Sequence, residues 1–399
     1  MHFRVLIIGE AFYPEDFIIN HLVSDWSNQG YDIEVLTRTP SYPLGKPFKG
    51  YRNRVYQKTN FGTVKVHRIS IIRGYHKNKY LKVLNYINFV FWSSIVALII
   101  GRKFDKIFVY QTGPLTVAIP AILLHKIYRK KVTLWVQDLW PDTVYAYGYK
   151  KRYMLKTLLD IFVKSIYKSC EEILVSCDGF KKRINSYVPD KSILTAPNWP
   201  LIDSRISKTN DIKLSDDKFN FTFAGNIGKV QNLDNVILGF NLFINKGYDA
   251  QLNIIGDGSF LVDLKKISQE KSMRNIVFWG RQPLTDMPSY FHSSDVLILS
   301  LVESPIYELT IPSKFAVYLT TGKPIMGVIK GITKDLINNN NIGFTSEPSN
   351  VESICSCFEA FIIQSKTGLD NMKNNTSKLL NREFAKNIVI DRITKIVFE

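Results

Sequence analysis

The 399-residue chain is 45% hydrophobic, apolar enough for two globular domains with their own cores and too apolar for a disordered chain. Its formal charge of +17 points to an anionic partner, a description that covers nucleic acid, anionic lipid and sugar nucleotides alike. Cys170, Cys177, Cys355 and Cys357 form no CxxC pair and have no histidine beside them, which argues against a zinc site or a disulfide framework and for reduced thiols in the cytoplasm.

The apolar run Arg4 to Gly9 is too short for the core of a signal peptide and reads as a first buried parallel strand. A loop through Pro14, a helix over 16–29 closed by Gly30 and a strand over 32–37 follow. Strand–helix–strand predicts a doubly wound α/β domain whose ligands bind beyond the carboxyl ends of its strands. The loop over 39–56 interleaves Lys46, Lys49, Arg52 and Arg54 with Tyr42, Phe48, Tyr51 and Tyr56. Such a loop can stack on bases, hold a sugar or rest at lipid headgroups, and the pattern does not choose among them. Residues 64–72 read as a strand.

Residues 83–100 are the most hydrophobic stretch and are followed by Arg102-Lys103. Their length approaches that of a membrane span, but Asn85, Asn88, Ser93 and Ser94 oppose one. Three readings stay open: a helix lying at or dipping into a bilayer surface, a buried core helix, and a span. Two basic and aromatic tracts, 125–131 and 149–153, continue into Lys156, Lys164 and Lys168 with Leu155, Leu158, Leu159, Ile161 and Phe162 between them. That spacing describes an amphipathic helix with a basic edge drawn to anionic lipid, or equally a solvated lysine face on a core helix. No nucleic-acid-binding module is visible, so nucleic acid is not the expected partner. The strand over 132–136 ends at Gln137-Asp138-Leu139-Trp140-Pro141-Asp142, where two carboxylates and a Trp are placed for substrate contact; a capping Asp and a packed Trp would look the same.

Composition turns polar over 204–217, the best linker candidate, and a second α/β domain starts at Phe219. A strand over 220–224 leads into Gly225-Asn226-Ile227-Gly228-Lys229 and a helix over 233–245; a glycine loop there lets backbone amides approach a phosphate, with Lys229 for charge. Further strands end at Gly256-Asp257-Gly258 and at Gly280-Arg281, the second where a base could be read. Pro312-Ser313-Lys314 then precedes an apolar-periodic run ended by Gly322. This is the pattern of a helix start with a capping hydroxyl, whose free amides and Lys314 make an anion site; an ordinary capped helix with a surface lysine has the same pattern.

In order along the chain, 224–233, Ile255-Gly256-Asp257-Gly258, Phe278-Trp279-Gly280-Arg281, Ser294-Asp295-Val296 and Pro312-Ser313-Lys314 resemble the family-four retaining glycosyltransferases, over essentially the whole chain. With residues 138–142 and 41–46 they look closest to the subgroup similar to N-acetyl-L-fucosamine transferases of O-antigen and capsule assembly. The resemblance implies the GT-B fold: two facing Rossmann-like α/β domains with an interdomain cleft. Residues 1–203 would bind the acceptor, 204–218 would link, 219–380 would bind the nucleotide sugar, and 381–399 would form a helix returning to the amino-terminal domain. It implies a UDP-favoured nucleotide-sugar donor as substrate, no cofactor or metal, and a polyprenyl-diphosphate-linked saccharide acceptor. The location implied is cytoplasmic, at the anionic inner face of the cell membrane. In such enzymes the departing phosphate takes the acceptor proton on the same face, so Asp138 would orient rather than attack.

Lys229, Lys314 and the amides near Gly225 and Ser313 would stabilise the leaving diphosphate, and Asn226, Gly228, Gly256, Gly258, Arg281 and Pro312 would contact the donor. Leu309 and Val317 stand where the family's Glu-x7-Glu pair is expected, leaving Glu308, one residue out of register, as the replacement for the first Glu. Two other functions fit the same architecture: a UDP-sugar 2-epimerase, and a non-catalytic sugar-nucleotide-binding subunit of an assembly complex.

Overall fold

The computed structural model describes residues 3–143, 153–201, 214–215 and 217–399. The basic tract 149–152 and most of the linker 204–218 lie outside the described residues. Two compact units emerge, one of residues 1–197 with 390–399, the other of 198–389.

The first unit runs β1 (Arg4–Gly9), α1 (Ile18–Asn28), β2 (Asp32–Arg38), β3 (Tyr56–Phe61), β4 (Val64–Ile69), α2 (Lys79–Ile100), β5 (Lys106–Gln111), α3 (Ile119–Tyr128), β6 (Lys131–Val136), α4 (Tyr153–Ser169), β7 (Glu172–Val175), α5 (Gly179–Asn185) and β8 (Ile193–Thr195). Its sheet has the order β3-β4-β2-β1-β5-β6-β7-β8. Seven strands are parallel, and β1, β5 and β7 read as near-continuous apolar runs, as strands buried on both faces do. The exception is β3, antiparallel to β4. This polar edge strand (Gln57, Lys58, Thr59, Asn60) has no apolar run to announce it, and a turn at Gly62, φ +56°, joins it to β4.

Two of the residues that argue against a span in α2, Asn85 and Asn88, fasten it to this unit. Asn85 Oδ1 accepts from the Ile72 amide at 2.9 Å and Asn88 Nδ2 donates to the Ser70 carbonyl at 2.7 Å. Asn85, Phe89, Ser93, Val96 and Ala97 are buried, while Leu84, Ile87, Phe91, Ile95 and Ile99 lie exposed at near-helical spacing. The carboxy-terminal helix, Lys386–Phe398, packs on the same unit through its last turns: Phe398 stacks on Tyr31 at 3.9 Å, and Trp26 Nε1 donates to Thr394 Oγ1 at 2.7 Å.

The second unit runs β9 (Phe219–Ala224), α6 (Leu233–Asn245), β10 (Ala250–Ile255), α7 (Leu261–Glu270), β11 (Ile276–Gly280), α8 (Met287–Ser293), β12 (Val296–Ser300), α9 (Pro305–Glu308), α10 (Ser313–Thr321), β13 (Ile325–Val328), α11 (Ile332–Asn339), β14 (Gly343–Ser346), α12 (Val351–Ile362) and α13 (Lys366–Leu379). All its strands are parallel, in the order β11-β10-β9-β12-β13-β14. The order reverses between β9 and β12, so the loop after β9 and the segment after β12 flank the crevice where open α/β sheets take ligands. Phe221, Phe240, Phe243 and Phe358, each fully buried, form edge-on contacts that hold β9 under α6 and α12.

Candidate functional site

At the carboxyl ends of β9, β10 and β11, three turns are laced by backbone hydrogen bonds. The Gly225 amide donates to the Ile255 carbonyl at 2.9 Å, the Gly256 amide to the Gly280 carbonyl at 2.8 Å and the Ile227 amide to the Asp257 carbonyl at 2.9 Å. Two glycines make this possible. A Cβ on Gly256, φ +138°, would lie 1.9 Å from the Gly225 oxygen, and one on Gly258 would lie 2.3 Å from the Ile227 oxygen. Gly256 and Gly258 therefore serve the approach of one turn to the next.

Gly225, φ +134°, is the exposed side of this stack, and what lies over it is the side chain of Lys314. A Cβ at 225 would meet Lys314 Cε at 2.4 Å and Nζ at 2.8 Å. Tyr318, one turn on in α10, fixes that placement: its hydroxyl accepts from the Ala224 amide at 3.2 Å and donates to the Ala224 carbonyl at 3.3 Å. The Lys314 ammonium sits 3.7 Å from the centroid of the Phe223 ring, and no carboxylate pairs with it among the described residues. Burial pulls its pKa down to about 7.

The start of α10 differs from the sequence expectation. Pro312 occupies the cap, extended at φ −60° and ψ 139°, so Ser313 is the first helical residue and no side chain caps the end. Proline cannot cap through its side chain. Among the described residues the Ser313 and Lys314 amides meet no acceptor, which leaves two donors beside the ammonium.

The remaining expected residues are less tightly held. Asn226 and Lys229 are exposed on the loop; Gln231 Oε1 accepts from the Gly228 amide at 3.0 Å and so shapes that turn. Arg281 is exposed just past β11. Glu308 ends α9, half-buried, and its backbone is clasped by Gly331, φ +74°, where a Cβ would come 2.1 Å from the Glu308 oxygen. Glu303, by contrast, is engaged: Lys330 lies 3.1 Å from it and Ser349 donates to it at 2.7 Å.

Asp138 belongs to the first unit, just beyond β6. It is half-buried, and desolvation pushes its carboxyl up to about 6. The sequence reading missed its neighbours. Gln111 Nε2 donates to the Asp138 carbonyl at 3.1 Å and also to the Gly113 carbonyl. Nearby, Arg38 Nη1 lies 3.5 Å from Glu10 Oε2, both side chains being almost wholly buried. Burial pushes the Glu10 carboxyl up against the pull of Arg38. The signal available in sequence was position alone: Glu10, Arg38 and Gln111 each end or follow a parallel strand.

Residues 204–378 match the family described as "Glycosyl transferases group 1". The chain is 26% identical over 251 residues to the probable glycosyltransferase WbjE of Pseudomonas aeruginosa, a match covering 60% of this chain and 61% of that protein, so less than two thirds of the relative's length. It is 23% identical over 336 residues to the putative colanic acid biosynthesis glycosyl transferase WcaI of Escherichia coli K12, covering 80% and 81%. An alpha,alpha-trehalose-phosphate synthase (UDP-forming) from Burkholderia vietnamiensis superposes with a TM-score of 0.72 at 9% identity, over 100% of this chain and 97% of that one. Two Rossmann-like sheets and that superposition give the chain the GT-B fold, and its residues 204–378 are similar to the group 1 glycosyl transferases, as the chain is to WbjE and WcaI.

Proposed function

We propose that the chain transfers a glycosyl group, with retention, from a UDP-sugar to a saccharide carried on polyprenyl diphosphate, in the assembly of a bacterial surface polysaccharide. The observation that carries this reading is the Lys314 ammonium, unpaired with any carboxylate among the described residues, beside two free helix amides and over Gly225. A cation kept without a counter-ion is costly, and the group that repays it is an anion brought by substrate. The leaving diphosphate fits: its charge grows as the glycosyl bond breaks, and fixed donors at Ser313 and Lys314 stabilise that growth without rearranging. Lys229 adds a mobile charge, Glu308 holds a donor hydroxyl and Arg281 lies at the base. Acceptance of the acceptor proton by the departing phosphate leaves Asp138 an orienting part.

The polysaccharide setting is supported by the similarity to WcaI, a putative colanic acid biosynthesis glycosyl transferase, and N-acetyl-L-fucosamine is the sugar favoured by the sequence resemblance. The lipid carrier and a location at the inner membrane face are supported by α2, which turns Leu84, Ile87, Phe91, Ile95 and Ile99 outward with Arg102 and Lys103 at its end. The decisive experiment is a thermal-shift panel of UDP-, GDP-, dTDP- and CMP-sugars, followed by NMR of the anomeric centre in the product. A UDP-specific shift and retained configuration support the reading. No shift with any sugar nucleotide, or 2-epimerisation of UDP-HexNAc without acceptor, refutes it.

A further inference from the structure

A buried set of titratable groups lies midway along β2 and β4, away from their carboxyl ends and under the end of α2. Register puts His67 of β4 opposite Leu36 of β2 and Lys58 of β3, so Glu34, Tyr56, Lys58 and His67 share one face of the sheet. Lys103, the last residue of the 3-10 turn that continues α2, reaches that same face.

Four of these groups are bonded in series. Lys103 Nζ donates to Glu34 Oε1 at 2.6 Å, His67 Nε2 lies 2.8 Å from Glu34 Oε2, and the Tyr56 hydroxyl lies 2.8 Å from His67 Nδ1. A carboxylate only accepts, so Nε2 carries the hydrogen and Nδ1 accepts from the Tyr56 hydroxyl. His67 and Glu34 are 2% and 3% exposed, whereas Tyr56 and the Lys103 side chain are each 36% exposed. Burial opposes the charge on Glu34, but the bonds from Lys103 and His67 hold its carboxyl below the ordinary value. Burial also pushes the His67 imidazole down; Glu34 pulls it up, and Lys103 and Lys58 push it down again. The neutral imidazole therefore satisfies every partner, with one carboxylate for one close ammonium among the described residues.

A proton added to the imidazole changes that balance. Nδ1 becomes a donor, which the Tyr56 hydroxyl accommodates by turning its own hydrogen toward solvent. Two cations, with Lys58 beside them, then share one buried carboxylate. His67 is enclosed in the sheet and cannot leave, but the tip of Lys103 already reaches water. We propose that Glu34, His67 and Lys103 form an acid-released clasp on the end of α2, in which the imidazolium displaces the Lys103 ammonium from Glu34. The freed ammonium joins Arg102 beside the exposed Ile95 and Ile99 of α2, where it strengthens attachment to an anionic lipid surface. Such a surface concentrates protons as it does other cations, so approach to it favours release. The lipid consequence rests on the membrane reading of α2 above; the clasp does not.

The test uses the full chain. NMR of the histidine Cε1 and lysine Cε positions, with His67 and Lys103 assigned by His67→Gln and Lys103→Met, follows both groups from pH 7.5 to 5. In wild type the Lys103 signal should move to the position of free lysines in step with protonation of His67. In His67→Gln, where the amide still donates to Glu34 but takes no proton, it should stay put. A Lys103 signal that stays bound while His67 protonates, a His67 that does not protonate in the folded protein, or release at the same pH in His67→Gln would overturn the clasp. Coincidence of the two wild-type curves decides the matter even where the variant fails to fold. In sedimentation with phosphatidylglycerol vesicles, acidification over the same range should raise the affinity of wild type about fivefold more than that of Lys103→Met, the worth of one added lysine. Equal gains would overturn lipid as the partner of the freed lysine. No sedimentation of wild type at either pH, with the NMR coincidence intact, would instead sink the membrane reading of α2.

Discussion

Lys314 offers a prediction that its geometry makes quantitative. With its pKa held at about 7 by desolvation, the ammonium is only ~10% protonated at pH 8 in the free protein. A diphosphate at Ser313 and Lys314 supplies the missing counter-charge and returns the pKa toward its ordinary value, so binding at pH 8 draws in ~0.9 proton, at pH 7 ~0.5 and at pH 6 ~0.1. Calorimetric titration of UDP in buffers of different ionisation enthalpy reads that number directly, since the β-phosphate of UDP is already deprotonated at pH 8. Lys314→Met should abolish the uptake and weaken UDP binding by ~10- to 100-fold, the worth of a charge-assisted contact. The sign for stability is opposite. A base whose folded pKa is depressed destabilises the fold below its unfolded pKa, so the unliganded protein gains stability as pH rises from about 7 toward 10.5, and Lys314→Met should raise the unliganded Tm at neutral pH. Proton uptake near zero at pH 8 with wild-type protein that binds UDP would refute the assignment of Lys314 to the diphosphate.

Asp138 titrates the other way: its raised pKa means that the fold loses stability as pH climbs through about 4 to 6, so Asp138→Asn should raise the Tm at pH 7.5 in a pH-scanned melt while lowering transfer. Gly256→Ala forces a Cβ to 1.9 Å from the Gly225 oxygen at φ +138° and should cost roughly 3 kcal/mol, ~6–12 °C in the melting of the second unit by scanning calorimetry. Ile87→Glu with Phe91→Glu, both on the exposed face of α2, should cut co-sedimentation with phosphatidylglycerol vesicles by at least tenfold while UDP binding is unchanged; undiminished sedimentation would remove α2 from the membrane interface.

What was legible in the sequence is what local pattern determines. The apolar run of β1, the alternating phenylalanines of β9 and the glycine that ends α10, φ +66° at Gly322, follow from burial and backbone sterics acting within a few residues. Gly256 and Gly258 show where local reasoning divides. A glycine that admits a phosphate and a glycine that admits a neighbouring carbonyl are identical in sequence, and only the Gly225 and Ile227 oxygens distinguish them.

The charge balance of the site is non-local in the same way. Two carboxylates, Glu303 and Glu308, precede Lys314 closely enough in the chain to suggest a neutralised lysine. In the fold Glu303 is drawn to Lys330 and Ser349, at the ends of β13 and β14, while α10 is carried over β9 by the Tyr318 hydroxyl. Glu303 is thereby committed elsewhere, and Lys314 is left without a carboxylate partner among the described residues. The Glu10–Arg38 pair has the same origin: each residue reads as a surface charge on its own loop, and only the adjacency of β1 and β2 buries them against each other. Both sets of charges therefore arise at strand ends where sheet order, rather than motif, decides which meet and which are left for a ligand.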